Sequence, residues 1–415
     1  MHYLVMPLGS AGDVHPFVGL ALELRRRGHE VTLSTNGYFA PLAERFRLPF
    51  IEVSSTDHFF SGIQNPNLWH PFRSFPYLYK SMIEPTIRPQ YEIVARESAK
   101  RETIVLANSL GLGAINAQDK LGVKVVSVHL QPIMMWSRIR PPRLPGLIGP
   151  GWLQDAMYRT AQRLVINPVA CPGLNAIRAE LGLTPVKQLM EWWHSRWRIL
   201  CLYPKWFCPP QTDWPSPFYQ VDFPLWDESE NEDGSTLQSG LGDELETFLS
   251  QGSAPIAFTP GSANIFGNPF FETAIRACKT LGRRAILLTR FGDQIPTRLP
   301  SSVLHVPFAP LSQLLPRCAA FVHHGGIGSA SQAMAAGVPQ LIRPQAHDQF
   351  DNAMRIVEQG FGECLKPNRF SSRALASKLQ KMLSSEQMAR QCQNVASKIE
   401  TRRGIEQAVD AIEKP

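Results

Sequence analysis

The feature that most constrains this chain is an alternation of apolar run, turn and helix that occurs twice. His2–Leu8 is an apolar run, Gly9–His15 a loop, and Pro16 opens a helix that carries Phe17, Leu20, Ala21 and Leu24 on one face. Gly28 closes that helix, and Glu30–Thr35 reads as a second strand. A strand, a helix and a further strand predict a βαβ unit and a parallel sheet. Thr103–Asn108 and Val123–His129 continue the strand pattern. The acidic text DESENEDGSTLQSGLGDELE, Asp227 to Glu246, reads as a linker. The alternation then restarts with strands at Ile256–Thr259, Ala285–Thr289, Val303–Val306, Ala320–His323 and Gln340–Ile342. Helices are expected over Pro269–Lys279 and up to Arg355–Gln359, and Ser397–Glu413 reads as a final helix.

Two doubly wound α/β domains, Rossmann-like and built on parallel sheets, are the economical fold class. Their expected limits are 1–225 for the first, 226–250 for the linker and 251–396 for the second. A C-terminal helix, 397–415, is expected to pack back toward the first domain. The length of 415 residues supports two domains, because single cores stop growing at roughly 250–300 residues.

Charge and cysteine usage exclude several classes. The formal net charge of +7 is spread out, so there is no nucleic-acid footprint. The densest cluster, Arg25–Arg27, sits where a helix ends and complements its dipole. Seven cysteines, an odd number without a CxxC pair, fit reduced thiols rather than a disulfide frame. The apolar start is too short for a signal peptide, and no window approaches 18 apolar residues. The expectation is a cytoplasmic protein, with peripheral contact at the inner membrane face left open. All nine tryptophans fall between Trp69 and Trp226, seven of them within aromatic stretches at 58–79, 132–152 and 191–210. These stretches suit either a core or an apolar acceptor pocket.

Two segments carry chemistry. In FVHHGGIGSASQAMAAGVPQ, Phe321 to Gln340, a strand ends at His323 and Gly325, Gly326 and Gly328 allow a tight turn. Ser329 then starts an alanine-rich helix, whose free amides make an anion site to which His324 adds a hydrogen bond or a charge. In RPQAHDQFDNA, Arg343 to Ala353, Asp348 and Gln349 follow a strand end and suit sugar hydroxyls. At the other end, GSAGDVHPF lacks the spacing and the downstream acid of a dinucleotide fingerprint, which argues against NAD.

HGGIGSASQAMAAGVPQLIRPQAHDQFDNA resembles the donor-site signature of family 1 glycosyltransferases, which have the GT-B fold, two such domains facing each other across a cleft. The resemblance is close over Phe308–Ala353 and looser elsewhere. It implies that His324, Gly326 and the amides of Gly328 and Ser329 grip the diphosphate of a UDP- or dTDP-sugar, and that Asp348 and Gln349 hold the sugar. Phe308 stands where a tryptophan usually stacks on the nucleobase, and Leu311 replaces a frequent glutamine. Gln332 replaces the glutamate that grips both ribose hydroxyls, which favours a dTDP-sugar.

GSAGDVHPF resembles the acceptor-side loop of the same family, which makes Asp13 the expected general base, with His15 as runner-up. The supporting acid of a histidine base is missing at Ala107, Asn108 and Ser109. The implied reaction inverts the anomeric centre. No metal is expected, since no Asp-x-Asp pair occurs and His323 and His324 would point apart on a strand.

GSAGDVHPFVGLA, CLYPKWFCPPQTDWP and HDQFDNA are most similar to bacterial rhamnosyltransferases that make rhamnolipids. That implies hexosyl transfer, of glucose or rhamnose type, to a lipophilic hydroxyl acceptor such as a hydroxy-fatty acid, in glycolipid biosynthesis. Sterol and macrolide or other secondary-metabolite glucosyltransferases share the Gly-Asp loop and stay open, as does a nucleotide-sugar epimerase.

Overall fold

The computed structural model describes residues 1–144, 146–147, 149–229 and 241–414. The middle of the expected linker, 230–240, lies outside the described residues. The chain forms two compact units, Met1–Pro224 with the stretch from Arg403 onward, and Leu225–Arg402.

In the first unit seven strands run in chain order: β1 (His2–Met6), β2 (Glu30–Asn36), β3 (Phe50–Ser54), β4 (Thr103–Ala107), β5 (Lys124–His129), β6 (Arg198–Leu202) and β7 (Phe218–Val221). They form one sheet in the order β3-β2-β1-β4-β5-β6-β7, and every pairing is parallel. β1, β4 and β6 are buried along their whole length, as strands covered on both faces must be. The histidine of β1 is satisfied, because its ring nitrogens each meet a threonine hydroxyl, Thr103 and Thr32, at 3.0 Å. Burial lowers the pKa of His2 to about 4.

The second unit holds β8 (Ile256–Thr259), β9 (Ala285–Leu288), β10 (Val303–Val306), β11 (Ala320–His323), β12 (Gln340–Ile342) and β13 (Gly362–Cys364). Their order is β10-β9-β8-β11-β12-β13, again all parallel. One apolar layer, with Phe258, Phe270, Val322, Leu341 and Leu375, covers one face, and a second, with Ala257, Ile286, Phe321 and Ala333, covers the other. Two doubly wound parallel-sheet units are therefore present, as expected. In each sheet the strand order reverses once, between β1 and β4 and between β8 and β11. Ligands of such sheets bind outside the carboxyl ends of the strands at that reversal.

Three sequence expectations need correction. Pro16 does not open the first helix, which spans Ala11–Arg26 with Ser10 as its N-cap. Ser10 and Asp13 form a capping box, and this signal starts the helix five residues before the proline. Pro16 thus sits inside the helix and denies a bond to the carbonyl of Gly12, a solvent-exposed residue. The helix after β11 begins at Ile327 with Gly326 as N-cap, not at Ser329. The last helix spans Arg403–Glu413 rather than starting at Ser397.

That last helix packs on the first unit through named cations. Arg198, buried in β6, donates to the carbonyls of Ala411, Ile412 and Lys414 at 2.6, 2.8 and 2.9 Å. A guanidinium thereby satisfies carbonyls that a helix end leaves without partners. Arg27 bonds Asp410 and Glu413 of the same helix at 2.6 and 2.7 Å. The seven cysteines are all unpaired.

Candidate active site

The first group of candidate residues follows β1. Gly9 has φ +126°, a conformation that side chains other than glycine's rarely adopt. A Cβ at Gly9 would also overlap Asp13 Oδ2. That oxygen accepts from the Ser10 amide at 2.9 Å and from the Ser10 hydroxyl at 3.2 Å. Gln131, two residues beyond β5, bonds the same carboxylate. Burial nevertheless dominates and raises the pKa of Asp13, with the Ser10 and Gln131 bonds pulling the other way. The loop itself is held by Asn36, whose Nδ2 donates to Gly9 O at 3.3 Å. Asn108, the residue after β4, donates to Leu8 O at 2.6 Å and accepts from the Leu8 amide at 3.4 Å. Where an acid would support a histidine base, Asn108 thus serves as a clamp on the β1 exit. His15 is half-buried and two residues along the same helix. Residues at that spacing do not face one another, so Asp13 and His15 do not converge on one atom.

The second group follows β11 and β12. His323 is fully buried and stacks on Phe321 at 4.7 Å. Its Nδ1 accepts from the Gly325 amide at 3.1 Å, so Nε2 carries the proton and donates to Gln340 Oε1 at 3.0 Å. His323 therefore shapes the glycine turn. Gly325 takes φ +97°, and a Cβ there would lie 2.7 Å from Ile342 Cγ2. His324 lies between two backbones: a Cβ on Gly261 would be 2.9 Å from its Cε1, and one on Gly326 2.5 Å from its Nε2. Burial, with His347 adding to it, lowers the pKa of His324 to about 4. The imidazole is neutral at pH 7, so of the two contributions expected from it, hydrogen bond or charge, the resting protein offers the hydrogen bond.

The helix Ile327–Ala335 makes its first internal bond from Ala330 N–H to Gly326 O at 3.0 Å. The amides of Ile327, Gly328 and Ser329 precede that bond, and such amides with the helix dipole suit an anion. Asp348 is the N-cap of the helix Gln349–Glu358. One buried side chain joins the two loops: Asn352 Nδ2 donates to Gly325 O at 2.9 Å and to Asp348 Oδ2 at 2.6 Å. Asn352 lies in the motif HDQFDNA, but its sequence context assigns it no task, because its partners are 27 and 4 residues away. Gln349 is buried, and its Oε1 accepts from the amides of Gln345 and Ala346 at 2.7 and 3.2 Å. Only its Nε2 end is left for a ligand. His347, beside these residues, has φ +58°, an uncommon backbone conformation for histidine.

Phe308 lies beyond β10 and is 38% exposed, with the Arg290 guanidinium 4.9 Å from its ring centroid. A large ring left open in this way is available for stacking. The short helix that follows it, Leu311–Leu314, packs on Ile327–Ala335, the helix that carries the buried Gln332. The structure thus gathers His324, Gly326, Gly328, Ser329, Asp348 and Gln349 around the carboxyl ends of β11 and β12. Phe308 and Gln332 belong to the same unit, and Asp13 and His15 belong to the other. Among the described residues, no group of three or more His, Cys, Asp or Glu is placed to hold a metal ion. No described helix is long and apolar enough to cross a membrane.

Residues 3–113 match the glycosyltransferase family 28 N-terminal domain, and residues 287–409 match the erythromycin biosynthesis protein CIII-like C-terminal domain. The chain is 28% identical over 439 residues to the O-mycaminosyltylonolide 6-deoxyallosyltransferase of Streptomyces fradiae, covering 100% of this chain and 97% of the relative. The solved glycotransferase of kitacinnamycin superposes with a TM-score of 0.72 at 20% identity, covering 99% of this chain and 98% of that one. Spinosyn rhamnosyltransferase SpnG complexed with thymidine diphosphate superposes with a TM-score of 0.68 at 18% identity, each chain covered completely.

Fold and matches define the class: the chain is a glycosyltransferase of the GT-B architecture. Within that class, its sequence relatives include an enzyme named for deoxysugar transfer.

Proposed function

We propose that the protein transfers a hexose, of the glucose or rhamnose type, from a nucleoside diphosphate sugar to a hydroxyl of a lipophilic acceptor, with inversion and without a metal. The observation that carries this reading is the constellation at β11 and β12, where Asn352 ties the glycine turn at Gly325, next to His324 and the helix start, to Asp348. Its amides and imidazole suit a diphosphate, and Asp348 with the Nε2 end of Gln349 suits sugar hydroxyls.

Asp13 is the general base in this account. A carboxylate with a raised pKa is a better base at neutral pH than a free one, whose pKa is about 3.9. It takes the acceptor hydroxyl proton as that oxygen attacks the anomeric carbon. The bond to the diphosphate breaks, and the departing charge falls on the Gly328 and Ser329 amides and on His324, donors already in place before reaction. Phe308 stacks on the base of the nucleotide. Gln332, an uncharged amide, favours a deoxyribose donor, in keeping with the thymidine diphosphate bound by SpnG.

For the acceptor, the aromatic stretches of the first unit support an apolar molecule. A hydroxy-fatty acid and a macrolide-type alcohol both meet that description. The Streptomyces relative favours the second. The test is purified protein with UDP- and dTDP-sugars and a panel of a hydroxy-fatty acid, a sterol and a macrolide aglycone, read by mass spectrometry. Nucleoside diphosphate should appear only when an acceptor is present. Equal release without acceptor would replace transfer by hydrolysis or epimerisation.

A further inference from the structure

Arg343 is the residue after β12, and its amide donates to His323 O at 2.9 Å. The sheet register pairs His323 with Ile342 and Val322 with Leu341. The next residues, His324 and Arg343, therefore leave neighbouring strands side by side. Alternation along a strand puts them over the face that Val322 and Leu341 cover. One contact agrees with that placement. The Arg343 guanidinium lies 5.1 Å from the ring centroid of Phe370, a residue packed against the same apolar layer.

What sets Arg343 apart is a guanidinium without an acceptor among the described residues. Arg343 is half-buried, and the arginines buried more deeply have acceptors: Arg178 bonds Asp119 and Asn116, Arg198 bonds three helix carbonyls, and Arg355 bonds Asp351. The Nε of Arg343 is buried without a partner, and among the described residues its guanidinium makes no hydrogen bond or ion pair. The face of a phenylalanine ring offsets only part of the cost of removing such a group from water. Burial disfavours its charge, and no neighbouring acid compensates. A planar, permanently charged fork in this state is suited to an anionic oxygen.

We infer that Arg343 is an anion-binding residue of the donor site, where its guanidinium, carried on the strand-end residue next to His324, receives an anionic oxygen of the bound donor. This rests on reading the β11–β12 edge as the donor site. The oxygen belongs either to the second phosphate or to a carboxylate carried by the sugar, since both present the same chemistry to a guanidinium.

Calorimetric titration of the full-length protein and its R343M variant with dTDP, dTMP, UDP-glucose and UDP-glucuronate tests the inference. If the second phosphate is the partner, R343M binds dTDP at least tenfold more weakly and dTMP within twofold of wild type. If a carboxylate is the partner, dTDP affinity is unchanged, wild type prefers UDP-glucuronate to UDP-glucose, and R343M loses that preference. Unchanged affinity for all four in R343M overturns the inference and leaves the donor site standing. A wild-type protein that binds none of the four removes both. Should R343M fail to fold, R343Q carries the same comparison.

Discussion

Gly9 and Asp13 are in contact: the space a Cβ would need at Gly9 is occupied by the Asp13 carboxylate. The loop after β1 and the proposed base therefore depend on each other. Gly9 also has φ +126°, so Gly9→Ala meets backbone strain and a collision together. G9A is expected to lose turnover by about 10²-fold or more, in the range general-base loss produces, while nucleotide affinity stays within twofold. Steady-state rates beside a nucleotide titration check this. Retained turnover would detach Asp13 from the chemistry or from Gly9.

The raised pKa of Asp13 links activity to stability. A group whose folded pKa is raised stabilises the fold below its unfolded pKa of about 3.9, and that contribution is lost as pH rises through the folded value. Once ionised, the carboxylate is thus a burden on the fold. Asn at this position keeps an acceptor for the Ser10 amide and carries no charge. Asp13→Asn is expected to melt at least as high as wild type at pH 8, and its advantage should shrink as pH falls through the titration of Asp13. Paired melting curves between pH 4 and 8 measure it.

His324 supplies a second pH signature. Its pKa is lowered to about 4 from the ordinary 6.5, and a diphosphate placed beside it favours the charged form. Binding of dTDP or UDP should take up a proton between about pH 4 and 6.5 and none at pH 8. Calorimetry at pH 5.5 and pH 8 in buffers of different ionisation enthalpy reports that uptake, and His324→Asn should abolish it. Proton release on binding would contradict the placement of the phosphates.

Gln332 is the donor-selectivity position. Gln332→Glu is expected to move the ratio of UDP to dTDP affinity about tenfold toward UDP, because a carboxylate accepts from both ribose hydroxyls, a gain of roughly 1.4 kcal/mol. Competition titration with the two nucleotides measures the ratio, and an unchanged value would remove Gln332 from ribose contact.

Central strands and the motif loops were legible in the sequence; edges and helix starts were less so. β10, β11 and β12 fall where the apolar runs place them. β13 is only three residues long and shows no usable period. β6 hid in an aromatic stretch, since Arg198 opens it and is satisfied only by the distant C-terminal helix. Pro16 misled because proline favours a first helical turn, whereas the Ser10–Asp13 box set the start earlier. The candidate donor residues could be listed from their motif. The tie through Asn352 and the missing partner of Arg343 depend on tertiary neighbours that no local pattern encodes.

The most direct measurement is turnover and nucleotide affinity of Asp13→Asn, assayed together on a protein whose melting curve shows it folded. The account predicts a loss of turnover of about 10²- to 10⁴-fold with the dissociation constant for dTDP or UDP unchanged within twofold. Turnover near the wild-type rate, or nucleotide binding lost in step with activity, would contradict it.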